Sequence, residues 1–185
     1  LKNPIATVMG FSDLIGKAGP LNEMQSDFQK RIQNAAHHMH ELVINLLEMA
    51  RMEMGIELEV EEIDINQLLI AIEDEFRPQA AMKGHQLVLE QAPGSVIVRG
   101  DVKRLQQVAR NLVGNAIKYT PEGGMVTISS QVENGEVRIA IQDTGIGIPA
   151  EALPNLFQKF YRVRCEQTEN IEGNGLGLAI VKSIV

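Results

Sequence analysis

The sequence is poor in several residue types, and each scarcity excludes a class of protein. Its 185 residues contain no Trp and a single cysteine, Cys165, so an internal disulfide framework is excluded and a reducing compartment is favoured. Basic residues are also few, because 17 Lys and Arg stand against 24 Asp and Glu and give a net charge of −7. A nucleic-acid surface needs basic patches, so we expect no nucleic-acid partner.

Long apolar runs are missing as well. No stretch is long enough to span a bilayer, and no signal peptide opens the chain. We therefore expect a cytoplasmic protein, with any membrane attachment of a longer parent made through segments upstream of Leu1. Apolar residues still make up 44% of the chain, which is enough for a packed core, and the length allows one ordinary domain with a smaller one.

Two glycine-rich runs are the most informative stretches that the sequence does contain. The first, Asp143-Thr-Gly-Ile-Gly-Ile-Pro149, follows a strand-like stretch at 137–141, and the second, Gly173-Asn-Gly-Leu-Gly-Leu178, leads into a helix-like stretch. Glycine lets the backbone approach a flat ligand closely, and free amides at the start of a helix favour phosphate. One such run is typical of any turn, but the pair predicts a nucleotide site.

The first 54 residues have the pattern of paired helices. Asn22 and Gln25 form a capping box, and apolar residues then recur at alternating spacings of four and three, as in a seam that faces a partner helix. The seam comprises Phe28, Ile32, Ala35, Met39, Leu42, Leu46 and Met49. Residues 1–16 carry a weaker seam with Leu1 at its start, and 16–20 should break the two apart. We expect an antiparallel hairpin that either dimerises into a four-helix bundle or packs on its own domain.

Histidines in the second helix invite a metal-site interpretation, which we reject. His37, His38 and His40 are close in sequence, but the first two point in different directions on a helix, and no carboxylate or cysteine completes a ligand set. We interpret all three as solvated residues of a helix face.

From residue 56 onward, strands and helices alternate, which predicts an α+β fold with a mixed sheet. Strands are predicted at 56–60, 86–90, 95–99, 125–132 and 136–142. Asn134-Gly135 is a hairpin turn between the last two, and Asp64 and Asp101 are predicted helix N-caps. Residues 149–173 show no period, so we expect a loop that closes over the ligand.

The helix predicted after Asp101 has an apolar pattern that is interrupted by three polar residues near one face. Asn111 and Asn115 lie one turn apart and share a face, with Lys118 near that face one turn further on. Mg²⁺ prefers oxygen ligands and keeps several waters, so one amide oxygen with triphosphate oxygens would suffice. Taken alone, the same residues would be interpreted as an ordinary polar helix face.

Together these stretches resemble the sensor histidine kinases of two-component signalling, whose ATP-binding domain is shared with type II topoisomerases. The four matching stretches resemble the N box, the first glycine box, the F box and the second glycine box, at Asn111–Thr120, Asp143–Pro149, Leu156–Arg162 and Gly173–Leu178. The resemblance implies a dimerisation and histidine-phosphotransfer hairpin at residues 1–55 and an α/β sandwich ATP-binding domain at 56–185. It also implies Mg²⁺ and ATP as cofactors, and a homodimer and a response regulator receiver domain as partners.

The resemblance also implies a role for each matching residue. Asn115 would bind Mg²⁺, with Asn111 supporting it or the geometry of attack, while Lys118 would contact phosphate and Tyr119 would lie against the nucleotide. Asp143 would accept a hydrogen bond from the adenine amino group. The cofactor-binding positions of the two glycine boxes are Gly145, Gly147, Gly173, Gly175, Leu176 and Gly177. In the F box, Phe157 and Phe160 would anchor the lid, and Arg162 would stabilise charge on the γ-phosphoryl group.

Both ends of the chain depart from the family pattern. Leu1-Lys-Asn-Pro-Ile5 resembles the tail of an H box, which puts the phosphoacceptor histidine two positions before Leu1, and Asn3 matches the position implicated in orienting water during regulator dephosphorylation. The stretch His40-Glu-Leu-Val-Ile-Asn45 imitates the box but lacks its proline and has the wrong spacing. We therefore expect this chain to bind ATP without autophosphorylating, and further strands to follow Val185.

Three other functions stay open at this point. A catalytically silent ATP-binding scaffold would normally have eroded motifs, whereas all four motifs are intact in this sequence. A serine kinase of the anti-sigma-factor type shares the ATP-binding fold, but the hairpin with Lys2-Asn3-Pro4 argues against it. A mechanical ATPase of the topoisomerase class would need a glutamate where Asn111 stands, and additional domains.

Overall fold

The computed structural model describes residues 2–53, 58–163, 165–169, 171 and 173–185. The chain divides into two compact units, Leu1–Ile56 and Glu57–Val185. The domain boundary that the sequence predicts, between residues 55 and 56, falls within 54–57, outside the described residues. The boundary and the roles assigned to its two sides therefore stay predictions.

The first unit is a helical hairpin, formed by α1 (Lys2–Ala18) and α2 (Glu23–Glu53). The predicted capping box is present, since the Asn22 N–H donates to Gln25 Oε1 at 3.0 Å and the Gln25 N–H donates to Asn22 Oδ1 at 2.8 Å. The predicted break between the two helices at 16–20 is confirmed, since α1 ends at Ala18 and α2 begins at Glu23, although Gly16 itself is still helical and does not form the break. Glycine at 16 instead lets the Gln29 side chain of α2 approach, since a Cβ there would lie 2.6 Å from Gln29 Nε2.

The predicted apolar seam of α2 is largely exposed within one chain. Phe28 is 55% exposed, and Ile32, Met39 and Leu46 are exposed to a similar degree. Ala36, one position beyond the seam residue Ala35, is instead fully buried. The hairpin therefore packs through a face next to the seam and leaves most of the described seam residues exposed. Leu1 lies outside the described residues, as does the Met49 side chain.

The second unit, in the ranges described, has two sheets and three α-helices. Its strands are β1 (Glu61–Asp64), β2 (Gln86–Glu90), β3 (Ile97–Gly100), β4 (Met125–Glu133) and β5 (Glu136–Asp143), and its helices are α3 (Ile65–Met82), α4 (Val102–Tyr119) and α5 (Gly177–Ile184). Strand β4 pairs parallel with β2 and antiparallel with β5, which confirms a mixed sheet and an α+β fold. However, β1 and β3 form a separate antiparallel ribbon.

The strand predicted at 56–60 is wrong where the structure describes it. Residues 58–60 are irregular and exposed, and 56–57 lie outside the described residues. The strand begins instead at Glu61, because the positions that find partners are Glu61 to Asp64, opposite Gly100 to Ile97. Residues 58–60 pair with none of the described strands.

The core of this unit fixes α4, the helix that carries the predicted N box. Helix α4 packs against α3, α5, β4 and β5. Apolar side chains of α3, α4 and β4 form the centre, and the fully buried ones include Leu69, Ile72, Val113, Ile117, Val126 and Ile128. Burial of each such side chain stabilises the fold by about 1.5–3 kcal/mol. The predicted caps are confirmed, since Asp64 Oδ1 accepts from the Asn66 N–H and Asp101 Oδ1 from the Lys103 N–H.

Candidate functional site

The C-terminal half of α4 presents the polar residues on which the sequence interpretation depends. The four predicted residues of this helix are each partly exposed: Asn111, Asn115, Lys118 and Tyr119. Val113, Ala116 and Ile117, on the opposite side, are buried in the core. One side of the helix is thereby anchored while the other is available to a ligand.

The first glycine run lies against the C-terminal end of α4. Asp143 ends β5 with its side chain exposed, and its Oδ1 accepts a hydrogen bond from the Gly145 N–H at 2.8 Å. A Cβ on Gly145 would lie 2.8 Å from the Tyr119 carbonyl oxygen, and the Ile146 N–H donates to that same oxygen at 3.2 Å. Glycine at 145 is therefore required for the loop to lie on the helix.

Gly147 differs from Gly145 in what surrounds it. Its φ of 71° is in the left-handed region that glycine adopts most easily. Apart from its own atoms and those of its two chain neighbours, no atom of the described residues lies within 4 Å of the position where its Cβ would stand. The predicted approach of a flat ligand to this loop therefore has space at Gly147.

The second glycine run lies along the same helix at two points. A Cβ on Gly177, the first residue of α5, would lie 2.9 Å from Asn111 Oδ1, and one on Gly173 would lie 2.7 Å from Lys118 Nζ. Both glycine runs thus meet α4, the second beside Asn111 and Lys118 and the first beside the Tyr119 carbonyl.

The F box segment closes against the second glycine run. Gly175 has a φ of 67°, and a Cβ on it would lie 2.7 Å from the Phe160 carbonyl carbon. Phe160 also has a positive φ, of 64°, and its N–H donates to the Gly175 carbonyl at 2.9 Å. Lys182 Nζ lies 6.0 Å from the centroid of the half-exposed Phe157 ring. Short 3-10 helices at Ala150–Asn155 and Glu166–Thr168 interrupt the segment for which no period was predicted.

Arg162 and Leu176 make contacts within the protein in this conformation. The Arg162 guanidinium donates to the Gly173 carbonyl at 2.7 Å and to the Ile171 carbonyl at 2.5 Å. The Leu176 side chain is fully buried, and its N–H donates to Asn174 Oδ1 at 3.0 Å. The phosphate-facing roles of both residues stay predictions.

Asn3 belongs to the other unit. It is an exposed residue of α1 whose carbonyl accepts a hydrogen bond from Thr7 Oγ1 at 3.0 Å. The residues brought together around α4 are all in the second unit, so the role of Asn3 stays a separate prediction.

Lys83 and Asn174 form hydrogen bonds with residues of the candidate site and were missed from the sequence. Lys83 Nζ donates to the carbonyls of Ile117 and Lys118, 34 and 35 residues away, and no local pattern could have indicated this. Asn174 could have been found, because an asparagine inside a glycine run is typical of a turn in which the side chain accepts from the backbone two residues on.

A metal would need ligands from a bound molecule as well as from the protein. The described part of the chain has no group of three or more His, Cys, Asp or Glu side chains that could hold a metal ion. Separately, each helix in this part is too short or too polar to cross a membrane. The half-exposed amide of Asn115 is a hard oxygen donor of the kind that Mg²⁺ accepts together with phosphate oxygens and water. The donor set fits a metal that arrives with phosphate.

Comparison with known families agrees with this geometry. Residues 100–185 match the family described as histidine kinase-, DNA gyrase B- and HSP90-like ATPase, and residues 1–55 match the His kinase A (phospho-acceptor) domain. The chain therefore matches a phospho-acceptor family in its N-terminal part and an ATPase family in its C-terminal part. The chain belongs to the sensor histidine kinase family.

Individual relatives show the same similarity. An uncharacterised sensor-like histidine kinase of Rhizobium meliloti (strain 1021) is 34% identical over 100% of this chain and 36% of its own length. The full-length structure of ShkA in complex with AMPPNP is 29% identical, with a TM-score of 0.78 over 99% of this chain and 38% of that one. Histidine kinase ThkA in complex with the response regulator protein TrrA is 27% identical, with a TM-score of 0.65 over 86% of this chain and 47% of that one.

Proposed function

We propose that this chain is the kinase core of a two-component sensor histidine kinase and that it binds Mg²⁺ and ATP. The observation that carries the proposal is the meeting of both glycine runs on one helix, with Gly177 beside Asn111, Gly173 beside Lys118 and Gly145 beside the Tyr119 carbonyl. The chain spans little more than a third of the R. meliloti relative, so the activity and partners of the whole protein are part of this proposal.

The two glycine runs would bind different parts of the nucleotide, the first run the base and the second run the phosphates. Asp143 would accept a hydrogen bond from the adenine amino group, with the base over Gly145 and Gly147. Tyr119 would lie against the nucleotide. The phosphates would be faced by Lys118 and by residues of the second glycine run, namely Gly173, Gly175, Leu176 and Gly177. Bound Mg²⁺ would supply charge neutralisation between the phosphates. Asn115 is the residue that would hold it, with Asn111 supporting that amide.

Arg162 would exchange its present partners for the transferring phosphoryl group. Its guanidinium is bound by carbonyls of 171 and 173, and Gly173 is itself a proposed phosphate neighbour. A phosphoryl oxygen is a stronger acceptor for a guanidinium than a neutral carbonyl. ATP would therefore compete for Arg162, while Phe157 and Phe160 would hold the lid in place.

In the whole protein, the γ-phosphoryl group would pass to a hairpin histidine and then to an aspartate of a response regulator receiver domain. The exposed seam of α2 supports a homodimer, because four apolar side chains that are each at least 44% exposed favour burial against a second copy. The same hairpin, with Asn3, would meet the response regulator. The resemblance to the ThkA–TrrA complex supports this partner.

Calorimetric titration of the 185-residue chain with ATP, with and without Mg²⁺, tests the proposal. We expect binding that Mg²⁺ strengthens by about tenfold or more, a change of about 1.4 kcal/mol, and loss of that Mg²⁺ effect in Asn115→Ala. Asn34→Ala, at an exposed position of α2, is the matched control and should keep it. An Mg²⁺ effect of equal size in all three proteins would contradict the assignment of Asn115.

A further inference from the structure

We propose that Lys83 is a positioning residue for the nucleotide site and that it acts by holding the C-terminal end of α4. This inference rests on the proposed function, because the end of α4 is where Lys118 and Tyr119 would meet the nucleotide. Lys83 is the C-cap residue of α3. It belongs to the segment that links α3 to β2 and includes the first residue of that strand, residues 83–86, which we call the α3–β2 turn.

The side chain of Lys83 satisfies two backbone groups that a helix cannot satisfy itself. The last four carbonyls of an α-helix have no intrahelical partner, and in α4 these belong to residues 116–119. Lys83 Nζ donates to the Ile117 carbonyl at 2.9 Å and to the Lys118 carbonyl at 3.1 Å. The carbonyl of Ala116 accepts from Thr120, and that of Tyr119 accepts from Ile146. All four carbonyls are therefore paired, and one side chain pairs the middle two.

The rest of the α3–β2 turn binds the segment that follows α4. The Lys83 carbonyl accepts from the Gly123 N–H at 3.0 Å, and the Gln86 N–H donates to the Gly124 carbonyl at 2.9 Å. His85 Nε2 lies 3.0 Å from the Pro121 carbonyl oxygen. Five hydrogen-bonding contacts thus connect this one turn to residues 117–124. The ammonium of Lys83 makes two of these five contacts.

Two contacts connect the C-terminal end of α4 to the two glycine runs of the proposed site. The Tyr119 carbonyl, one residue beyond the pair that Lys83 binds, accepts the hydrogen bond of Ile146 in the first glycine run. Lys118, whose carbonyl Lys83 binds, has its own Nζ against Gly173 of the second run. A shift of this last helical turn would move both glycine runs relative to the ligand.

The charge of Lys83 has a second effect on a polyphosphate ligand. The C-terminal end of a helix carries roughly half a negative elementary charge, which is unfavourable beside an anionic nucleotide. A lysine ammonium donating to two of its carbonyls opposes that charge at the place where it arises. Lys83 would therefore favour ATP without touching it.

Three variants of this 185-residue chain separate positioning from general stability. Lys83→Met removes the charge and both hydrogen bonds but keeps a flexible apolar chain, whereas Lys83→Arg keeps the charge and donors. Lys103→Met is the control, because Lys103 is an exposed lysine of α4 paired with Glu59 at 2.7 Å. Below the thermal midpoint of every variant, we expect ATP to bind about tenfold more weakly to Lys83→Met, and within about threefold of the unsubstituted chain in the other two.

Hydrogen exchange of the Ile146 amide tests the same inference without nucleotide. We expect this amide to exchange about tenfold faster in Lys83→Met than in Lys83→Arg or the unsubstituted chain. The Val126 amide, in the fully buried part of β4, should exchange equally in all of them. Should Lys83→Met not fold, Lys83→Gln, which lacks the charge, takes its place under the same expectations.

The outcomes distinguish this inference from the proposed function. Folded Lys83→Met with unchanged ATP affinity and unchanged Ile146 exchange would overturn the role of Lys83. The same holds if Lys83→Met has a lower thermal midpoint but neither of these two quantities changes. An unsubstituted chain that does not bind ATP would instead overturn the proposed function, and the exchange of Ile146 would then decide whether Lys83 positions the loop.

Discussion

The amide oxygen of Asn111 lies 2.9 Å from the point that a Cβ atom would occupy on Gly177. The two residues belong to α4 and α5, which pack against each other. A real Cβ atom does not approach an oxygen this closely, so alanine at 177 would have to displace the Asn111 side chain. Glycine at this position is therefore a condition for the Asn111 amide to stay where it is.

Gly177→Ala is expected to weaken ATP binding by about tenfold while the thermal midpoint stays equal or rises. The affinity falls because Asn111 moves, whereas the higher helix propensity of alanine, about 1 kcal/mol in a helix interior and less at the first residue of α5, offsets the cost of that movement. Calorimetry and thermal unfolding measure the two effects. In an Asn111→Ala background, adding Gly177→Ala should change the affinity little further, and full additivity of the two substitutions would contradict the account.

Gly175→Ala is expected to open the contact between the second glycine run and the F box. Alanine would meet backbone atoms of Phe160 and Tyr161 within 3 Å, and backbone cannot yield as a flexible side chain can. Strain of about 1–2 kcal/mol from the positive φ adds to about 1–3 kcal/mol from overpacking. The Phe160 amide should exchange faster in this variant. Gly94→Ala, with a φ of 79° and open space around it, is the control that should leave Phe160 unchanged.

Asn66→Ala is expected to destabilise the second unit by about 2–4 kcal/mol, because it leaves buried polar groups unpaired. The buried Asn66 amide donates to the carbonyls of Ala92 and Gly94, at 2.9 and 2.8 Å, and accepts from Ser130 Oγ at 3.0 Å. Urea unfolding of this unit measures the change. Asn34→Ala, at an exposed position, should stay within about 0.5 kcal/mol, and an equally small effect at Asn66 would show that water replaces its partners.

Part of the acid sensitivity of the fold is expected to come from Asp64. Its hydrogen bond from Ser95 Oγ, at 2.7 Å, lowers the pKa of this carboxyl group, and backbone amides including that of Asn66 add to the effect. Because the folded pKa is depressed, the stabilisation is present above the unfolded pKa of about 3.9 and is lost as pH falls through the folded pKa.

Ser95→Ala should therefore raise the pKa of Asp64 and shrink the loss of stability that follows as pH falls below the unfolded pKa of about 3.9. Carboxyl NMR titration of the Asp64 side chain measures the first effect, and acid unfolding the second. An Asp64 titration that Ser95→Ala leaves unchanged would mean that the backbone amides alone hold the carboxylate.

Local patterns account for the parts of the fold that could be predicted from the sequence. The Asn22–Gln25 capping box, the Asn134-Gly135 turn and the Asp101 cap each need only neighbouring residues, and all are present. The residues of α4 could be recognised for the same reason, because one helix places Asn111 and Asn115 on the same face wherever that helix packs.

Non-local pairing explains what could not be predicted. The described part of the strand expected at 56–60, residues 58–60, is irregular, whereas Glu61 to Asp64 pair with a strand more than 30 residues away. The bond from Lys83 to the end of α4 and the binding of Arg162 by the Gly173 carbonyl likewise depend on the tertiary structure. Nothing in the neighbouring sequence distinguishes Lys83 from an exposed lysine before a glycine.

The central claim is that Asp143 and the residues on α4 form one ATP site, and calorimetry of Asp143→Asn tests it most directly. This substitution exchanges a single carboxylate oxygen for an amide nitrogen, and Asp74→Asn, at an exposed position of α3 paired with Arg77, is its control. We expect Mg²⁺-dependent ATP binding by the unsubstituted chain and by the control, weakened by about tenfold or more in Asp143→Asn. Equal affinity in all three proteins, or no binding by the unsubstituted chain, would contradict it.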